Sequence, residues 1–122
     1  MRVLIVDDSS CFRQVARALL ERRGYDVVGE ASTVATARAL ASRLMPDAVL
    51  LDVSLPDGTG FALAGDLRRD HPDTAILLTS VEDYGHLYGL AEDCGARGFV
   101  LKSQLAHCDL ARFWTPELPS SQ

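Results

Sequence analysis

The sequence contains no long apolar segment. None of its hydrophobic runs comes near the ~18 consecutive residues that a membrane-spanning helix requires. The apolar start MRVLIVDD is too short for a secretory signal peptide and is followed at once by acidic residues. The sequence therefore predicts a cytoplasmic protein that does not enter the membrane.

Basic residues are few relative to acidic ones. Lys and Arg total 12 against 17 Asp and Glu, which gives a formal net charge of −5. Recognition of nucleic-acid phosphates needs clustered Lys and Arg, whereas the short arginine pairs at 22–23 and 68–69 are typical of solvated helix faces. We therefore expect no direct binding of nucleic acid by this domain.

Metal-ligand motifs built from sulfur or imidazole are absent from the sequence. The cysteines lie far apart without CxxC spacing, and the histidines have no acidic or cysteine partner at useful spacing; these residues are Cys11, Cys94, Cys108, His71, His86 and His107. The pattern indicates reduced structural thiols, solvent-facing histidines and no zinc site.

What the sequence does contain is a regular alternation of strand and helix signals. This alternation predicts an α/β fold whose parallel sheet is covered on both faces. The 122 residues have the length of one domain, which we place at 1–114, with the polar residues 115–122 as a tail or the start of a linker. The predicted strands are 3–6, 25–29, 48–51, 75–78 and 99–101.

Capping and stop signals predict the first three helices. Ser9 or Ser10 can cap the first, which ends at Gly24; Ser32 or Thr33 can cap the second, and the third is predicted over 59–70. Helical spacing gives the first helix an apolar inner face made of Phe12, Val15, Ala16, Leu19 and Leu20.

Two further helices are predicted towards the C-terminus. A capping-box pattern at Ser80 opens a fourth helix, in which Gly85 and Gly89 each cost about 1 kcal/mol relative to Ala, so we expect it to be the least stable. Ser103 is expected to cap a final helix. The inner face of that helix would carry Ala106, Leu110, Phe113 and Trp114.

Side chains capable of chemistry follow four of the predicted strands. These side chains are Asp7, Asp8, Asp52, Thr79 and Lys102. Because parallel strands all end on the same side of a sheet, the five residues should converge on one rim, where α/β sheets bind their ligands. Three carboxylates in one small site repel one another unless a cation neutralises them, and such oxygen ligands favour Mg²⁺.

The same rim can receive a phosphoryl group. The ammonium of Lys102 and a metal ion can neutralise phosphoryl oxygens, while the Thr79 hydroxyl can donate a hydrogen bond to one of them. Asp52 can then act as the nucleophile and become an aspartyl phosphate. No separate general base is needed, because an ionised carboxylate is already nucleophilic.

Four segments, in this order, resemble the response-regulator receiver domains of two-component signalling. They are VDD at the first strand, LLDVSLPDGTG at the third, ILLTS at the fourth and GFVLKS at the fifth, and the resemblance spans about residues 2–114. It implies a CheY-like, flavodoxin-like (βα)5 fold with a doubly wound sheet of strand order 2-1-3-4-5.

The resemblance implies roles for residues at this rim. Asp52 would be the phospho-acceptor and Lys102 its ion-pair partner, while Thr79 and Phe99 would be the switch residues. The implied Mg²⁺ ligands are Asp8 directly, Asp7 through water, Asp52, and the backbone carbonyl of Ser54.

Two positions depart from the family's pattern. Ser103 follows the lysine where the family often has a proline in a cis peptide, which bears on the geometry of that loop. Ser80 follows Thr79 where a small Ala or Gly is usual, so it can crowd the site or change its access.

The favoured function is a phosphorylatable switch. A sensor histidine kinase or a phosphotransfer protein would phosphorylate Asp52, and the surface formed by the predicted fourth helix, fifth strand and final helix would then rearrange. Homodimerisation through that surface and a downstream effector domain, for example a helix-turn-helix domain, are compatible with the sequence.

Two alternatives stay open at this point. A degenerate receiver would bind partners without phosphorylation, although the intact Asp8, Asp52, Thr79 and Lys102 argue against it. A haloacid-dehalogenase-type phosphatase needs a second acid two residues after its nucleophile, where this chain has Ser54. We therefore expect a signalling protein that catalyses only its own phosphotransfer and slow autodephosphorylation.

Overall fold

The computed structural model describes residues 1–81 and 93–114. Its central sheet has five strands: β1 (Arg2–Val6), β2 (Asp26–Ala31), β3 (Ala48–Asp52), β4 (Ala75–Ser80) and β5 (Gly98–Leu101). Three helices lie between strands, namely α1 (Ser10–Arg22), α2 (Val34–Leu44) and α3 (Gly60–Asp70). A 3₁₀ helix (Lys102–His107) and a C-terminal helix (Leu110–Trp114) follow β5.

All neighbouring strands in the sheet are parallel, and their order is β2-β1-β3-β4-β5. This order is the one predicted, with β2 at one edge and its exposed Asp26 at the start of that strand. Two short strands, Ser54–Leu55 and Gly58–Thr59, form a separate antiparallel hairpin between β3 and α3.

Alternate residues of the strands form two separate hydrophobic cores. Leu4, Val49 and Ile76 face α2 and α3 on one side of the sheet. Val3 and Leu50 face α1 and the C-terminal helix on the other side. Because both faces are covered, β3 and β4 are buried along their whole length, which explains why their sequences are continuously apolar.

The helix caps agree with the sequence signals. The hydroxyl of Ser9 accepts a hydrogen bond from the backbone N–H of Phe12, and the hydroxyl of Thr33 accepts one from Thr36. Thr59 caps α3 in the same way, through Ala62. Gly24, just beyond the end of α1, has a φ of +89°, a left-handed conformation that glycine adopts without steric cost.

Two expectations about helices are wrong. Val15 was expected to face inward, but it is 65% exposed, because the buried stripe of α1 runs through Ala16 and Leu20 only. A single final helix capped by Ser103 is also not found. Ser103 lies inside the 3₁₀ helix, whose start has no side-chain cap, and Ala106 is exposed.

Several sequence predictions fall outside the described residues. The predicted fourth helix, which opens at Ser80 and carries Gly85, His86 and Gly89, falls mostly on residues 82–92, and the tail is predicted at 115–122; residues 82–92 and 115–122 lie outside the described part of the chain. Among the described histidines, His107 is exposed and His71 is half-buried. None of the described cysteines, Cys11, Cys94 and Cys108, forms a disulfide bond.

Gly60 makes the closest backbone approach next to β3. A Cβ atom at this position would lie 2.2 Å from the carbonyl oxygen of Asp52 and 2.9 Å from the Cα of Val53. The N–H of Gly60 also donates to the carbonyl of Val53 over 2.6 Å. The start of α3 is therefore packed directly on the segment that carries Asp52.

We expect Gly60→Ala to destabilise the protein by about 1–3 kcal/mol, because backbone atoms would have to move apart to admit the methyl group. Gly65→Ala is the matched control within the same helix, since a Cβ there meets nothing within 4 Å. This control should stabilise the protein by about 0.5–1 kcal/mol, the usual gain of Ala over Gly in a helix. Urea unfolding measures both changes, and equal effects of the two substitutions would contradict the packing described.

Candidate functional site

The carboxyl ends of β1, β3, β4 and β5 bring the predicted site residues to one rim. Asp7 follows the last residue of β1, and Asp52 is the last residue of β3. In the sheet register Asp52 lies beside Thr79, and Ser80 lies beside Leu101, which precedes Lys102. The rim expected from strand exits alone is therefore present.

Three carboxylates meet at this rim. Asp7, Asp8 and Asp52 each place an oxygen atom within 4.8 Å of the others. Asp7 is fully buried and Asp52 is 6% exposed, whereas Asp8 is exposed to solvent. The cluster is thus closed on the protein side and open at Asp8.

The ammonium of Lys102 lies between two of these carboxylates. Its Nζ is 2.6 Å from Oδ2 of Asp7 and 3.4 Å from Oδ2 of Asp52. Lys102, the chain's only lysine, was expected to pair with Asp52, and it does so, but its shorter contact is with Asp7. One positive charge therefore serves two buried negative charges.

Asp52 is an acid whose charged form is disfavoured by its surroundings. Burial raises the pKa of the Asp52 carboxyl above its usual range, and the negative charge of Asp7 raises it further. Lys102 and the N–H of Ser54, which donates to Asp52 Oδ1 over 3.3 Å, act in the opposite direction without cancelling the increase. Additional positive charge at this rim would therefore be favourable.

The Thr79 hydroxyl is available for a further ligand. Its Oγ1 is fully buried and has no hydrogen-bond partner among the described residues. A buried hydroxyl without a hydrogen-bond partner costs free energy of folding, so such groups usually bind a water molecule or a ligand. Its strand neighbour Asp52 lies directly across the β3–β4 register. A ligand held by Asp52 would therefore be close to the Thr79 hydroxyl.

The loop after β3 is held by α2. Asp57 accepts hydrogen bonds from the N–H groups of Val34 (2.7 Å) and Ala35 (3.2 Å) at the start of that helix. These bonds lower the pKa of the Asp57 carboxyl. The loop that carries Ser54 is consequently attached at its far end to a neighbouring helix.

Arg13 supports the site from the side of α1. Its guanidinium donates to the backbone carbonyl of Asp7 over 2.7 Å and to Glu30 on β2 over 3.0 Å. Arg17 donates to the other oxygen of Glu30 over 2.8 Å. Hydrogen bonds from Arg17, then from Arg13, lower the pKa of the Glu30 carboxyl.

Three contributing residues were not predicted from the sequence as part of the site. Arg13 contacts Asp7 six residues away and Glu30 17 residues away, and Asp57 contacts the start of α2 22 to 23 residues away, so only the fold brings these partners together. Phe12 was predicted only as part of the inner face of α1. Its ring centroid lies 4.4 Å from the Lys102 ammonium. The available signal was its position in the first turn of α1, shortly after the predicted site residues Asp7 and Asp8.

The donor set fits a hard divalent cation such as Mg²⁺. The three clustered groups are all carboxylates, one of them solvent-exposed, and Mg²⁺ prefers a few oxygen ligands together with retained water. The raised pKa of Asp52 has the same implication, since repulsion from Asp7 contributes to it. The side chains of Asp7, Asp8 and Asp52 are the groups that could hold the ion.

The remaining predictions concern Phe99, the peptide between Lys102 and Ser103, and Ser80. Phe99 is 5% exposed, lies in the core on the α2–α3 side, and pairs with Leu78 in the sheet. The Lys102–Ser103 peptide is trans, as are the other peptides of the described residues. The buried Ser80 lies at the end of β4 beside Leu101, so it belongs to the strand rather than to the loop that follows.

Known proteins share this sequence pattern and fold. Residues 3–109 match the family Response regulator receiver domain. The transcriptional regulatory protein YdfI of Bacillus subtilis is 33% identical over 102 residues, which are 83% of this chain and 47% of YdfI. A protein-glutamate methylesterase/protein-glutamine glutaminase of Xanthomonas oryzae is 38% identical over 114 residues, 92% of this chain and 31% of that protein.

A solved structure of a response regulator has a similar fold. The crystal structure of a two-component response regulator of the LuxR family from Aurantimonas sp. SI85-9A1 is similar with a TM-score of 0.83 and 32% identity. The match covers 91% of this chain and 79% of that chain. By contrast, the chain spans at most about half the length of the two curated relatives.

The ion pairs of Glu30 with Arg13 and Arg17, here called the Glu30 bridge, make the free energy of unfolding depend on pH. Because the folded-state pKa of Glu30 lies below its usual 4.5, the bridge stabilises the fold above that pH and is lost as pH falls through the folded-state value. We expect Glu30→Gln to lower the free energy of unfolding by about 0.5–1 kcal/mol at pH 7. The difference from the wild type should vanish in acid below the folded-state pKa.

The control for this prediction is Glu21→Gln. Glu21 contacts Arg17 at 3.5 Å and its side chain is 52% exposed, so its loss should change stability less. Urea unfolding between pH 7 and pH 3 measures both variants. A Glu30→Gln effect that stayed constant over this range would argue that packing, rather than charge, is responsible.

Proposed function

The chain belongs to the response regulator receiver domain family, and from its rim we propose that it accepts a phosphoryl group on Asp52. The donor would be a sensor histidine kinase or a phosphotransfer protein. One observation carries the proposal: the Asp52 carboxylate lies beside a lysine ammonium and across from a buried hydroxyl that has no hydrogen-bond partner within residues 1–81 and 93–114. This combination supplies a nucleophile, a positive charge and a donor for one phosphoryl group.

In the proposed transfer an oxygen of the ionised Asp52 attacks the phosphorus of a phosphohistidine. The P–N bond breaks, and the departing imidazole nitrogen keeps the electron pair and takes a proton. Lys102, already 3.4 Å from Asp52, follows the negative charge onto the phosphoryl oxygens. The Thr79 hydroxyl donates to one of those oxygens and so gains the partner that it lacks.

We assign the Mg²⁺ of this reaction to Asp7, Asp8 and Asp52, with the backbone carbonyl of Ser54 as a further ligand. When bound, the ion would neutralise the carboxylates and the incoming phosphoryl oxygens. Asp8, as the exposed member, is the residue through which the ion would enter. The N–H of Ser54 donates to Oδ1 of Asp52 over 3.3 Å, which supports a position of Ser54 close to the proposed ion.

Switching would follow from the movement of Thr79. Thr79 neighbours Val100 in the sheet, and Phe99 is the residue before it, so a shift of Thr79 towards the phosphoryl group changes the packing beside Phe99. We propose that Phe99, which is already buried in the core, then repacks there and alters the outer surface around β5 and the C-terminal helix. The predicted fourth helix would form the remaining part of this surface.

A groove beside the site suits the phosphodonor. It has a volume of about 520 Å³ and lies between α1 and the 3₁₀ helix. Apolar side chains line most of it, among them the exposed Val15, and Lys102 lines its inner end. Since Lys102 belongs to both the groove and the site, an amphipathic helix of the donor seated there would bring its phosphohistidine towards Asp52.

The wider setting is also proposed rather than observed. Some relatives are transcriptional regulators and others methylesterases, so we propose that a receiver domain at about 1–114 works with an effector domain, and that 115–122 form a tail or linker. The domain itself would act in the cytoplasm and contact no nucleic acid. It would dimerise through the surface formed by the predicted fourth helix, β5 and the C-terminal helix. None of the described helices has the length and hydropathy to cross a membrane.

The alternatives have less support. A phosphatase of the haloacid-dehalogenase type needs an acid two residues after its nucleophile, where this chain has Ser54, whose backbone N–H donates to Asp52. A receiver that never accepts phosphate would have no need for the buried Thr79 hydroxyl next to a lysine-paired carboxylate. We therefore propose a signalling switch rather than an enzyme acting on other substrates.

Incubation with acetyl phosphate and Mg²⁺ should add about 80 Da to the protein, as intact mass spectrometry would show. The gain should require Mg²⁺ and should be absent from Asp52→Asn, because the amide is not a nucleophile. Beryllofluoride binding covers the case of an adduct too short-lived to weigh. No adduct and no beryllofluoride binding, or an adduct that survives Asp52→Asn, would refute the proposed function.

A charge-matched pair of variants tests the metal assignment in the same assay. Asp8→Asn should raise the Mg²⁺ concentration needed for half-maximal phosphorylation by about tenfold or more. Asp26→Asn removes the same charge from an exposed aspartate at the start of β2, at the end of the sheet opposite to the rim. This substitution should leave the required Mg²⁺ concentration unchanged. Equal effects of the two variants would show that only net charge matters.

A further inference from the structure

We propose that Phe12 is a positioning residue that holds the Lys102 ammonium over the phospho-accepting site through a cation–π contact. The Nζ of Lys102 lies 4.4 Å from the centroid of the Phe12 ring. This distance is well within the range in which an aromatic face attracts a cation. The inference rests on the proposed function of Asp52, which it deepens.

The carboxylates alone do not fix the direction of this ammonium. The 2.6 Å approach to Oδ2 of Asp7 has the distance of a hydrogen bond but not its angles, since that oxygen accepts no hydrogen bond from the part of the chain that the structure describes. The hydrogen bond to Asp52 is long, at 3.4 Å. A four-carbon side chain held by charge alone keeps several rotamers. A third contact, from the ring face, limits this freedom.

The ring is itself fixed by the site. The backbone N–H of Phe12 donates to the hydroxyl of Ser9, and the N–H of Ser9 donates to Oδ1 of Asp7 over 2.9 Å. The cap that starts α1 therefore ties the position of Phe12 to one of the two carboxylates that Lys102 contacts. Asp7, Asp52 and the ring of Phe12 surround the ammonium as a connected set.

An aromatic ring suits this place better than another polar group. A fourth carboxylate would add to the repulsion that already raises the pKa of Asp52. An aliphatic side chain would give the ammonium no attraction. The ring attracts a cation without adding a formal charge, so the same lysine can still follow the phosphoryl oxygens.

The first experiment observes the contact directly. Lys102 is the only lysine, so protein grown with ¹³C-lysine gives a single ε-CH₂ signal without assignment. In metal-free wild type this signal should be shifted upfield by the Phe12 ring and show nuclear Overhauser contacts to ring protons. Phe12→Tyr should keep the upfield shift and Phe12→Leu should lose it. A signal without ring contacts in the wild type would overturn the proposal, whether or not any variant folds.

The second experiment measures the consequence for phosphorylation. With acetyl phosphate, a donor too small to need the groove, Phe12→Leu should be phosphorylated about three- to tenfold more slowly, and Phe12→Tyr within about twofold of wild type. Phe113→Leu is the control, because its ring packs on Gly98 at the opposite end of β5. Loss of the upfield shift without a change in rate would overturn the positioning role.

The outcomes separate this inference from the proposed function. If wild type, Phe12→Leu and Phe12→Tyr all fail to acquire a phosphoryl group, the proposed function fails, while the ε-CH₂ signal still decides where Lys102 lies. If wild type is phosphorylated and Phe12→Leu and Phe12→Tyr are slowed equally, shape rather than the ring face is responsible, and the cation–π role is refuted.

Discussion

One ammonium shared by two buried carboxylates is the interaction on which this site depends. Asp7 and Asp52 end neighbouring strands, so burial and mutual repulsion act on both, and Lys102 supplies a single compensating charge. The balance is incomplete, as the raised pKa of Asp52 indicates. A site with this residual negative charge favours a cation. With a cation bound, the site could then receive a phosphoryl group. The same electrostatic imbalance would explain both the proposed binding of Mg²⁺ and the proposed phosphoryl transfer.

The sequence was sufficient to predict the features that depend on local pattern and strand direction. Continuous apolar runs identified the buried strands, and the residues after them identified the rim, because all strands of a parallel sheet end on one side. The caps at Ser9 and Thr33 were among those predicted, since a hydroxyl before an apolar helical pattern is typical of an N-cap, whereas Thr59 was predicted only as the start of α3. The sheet order came from the family resemblance, because periodicity alone does not order strands.

Features that depend on long-range contacts could not be predicted in this way. The 3₁₀ helix replaced the start of the expected final helix. The carbonyls of Ala106, within the 3₁₀ helix, and of Cys108, just after it, accept hydrogen bonds from Arg23, more than 80 residues away. The shorter contact of Lys102 with Asp7 depends on a long side chain that reaches from β5 across the sheet. The apolar spacing of α1 includes Val15 in its inner face, but the sheet covers a narrower stripe of the helix that leaves Val15 exposed.

Chemical mapping of the phosphorylated residue tests the central claim most directly. An acyl phosphate is reduced by borohydride to an alcohol, so protein treated with acetyl phosphate and Mg²⁺ and then reduced should carry homoserine in place of its phosphorylated aspartate. Our account predicts that peptide mass spectrometry finds this change at Asp52 alone. Reduction at Asp7 or Asp8 instead, or a phosphoryl group on a serine or threonine that resists reduction, would contradict it.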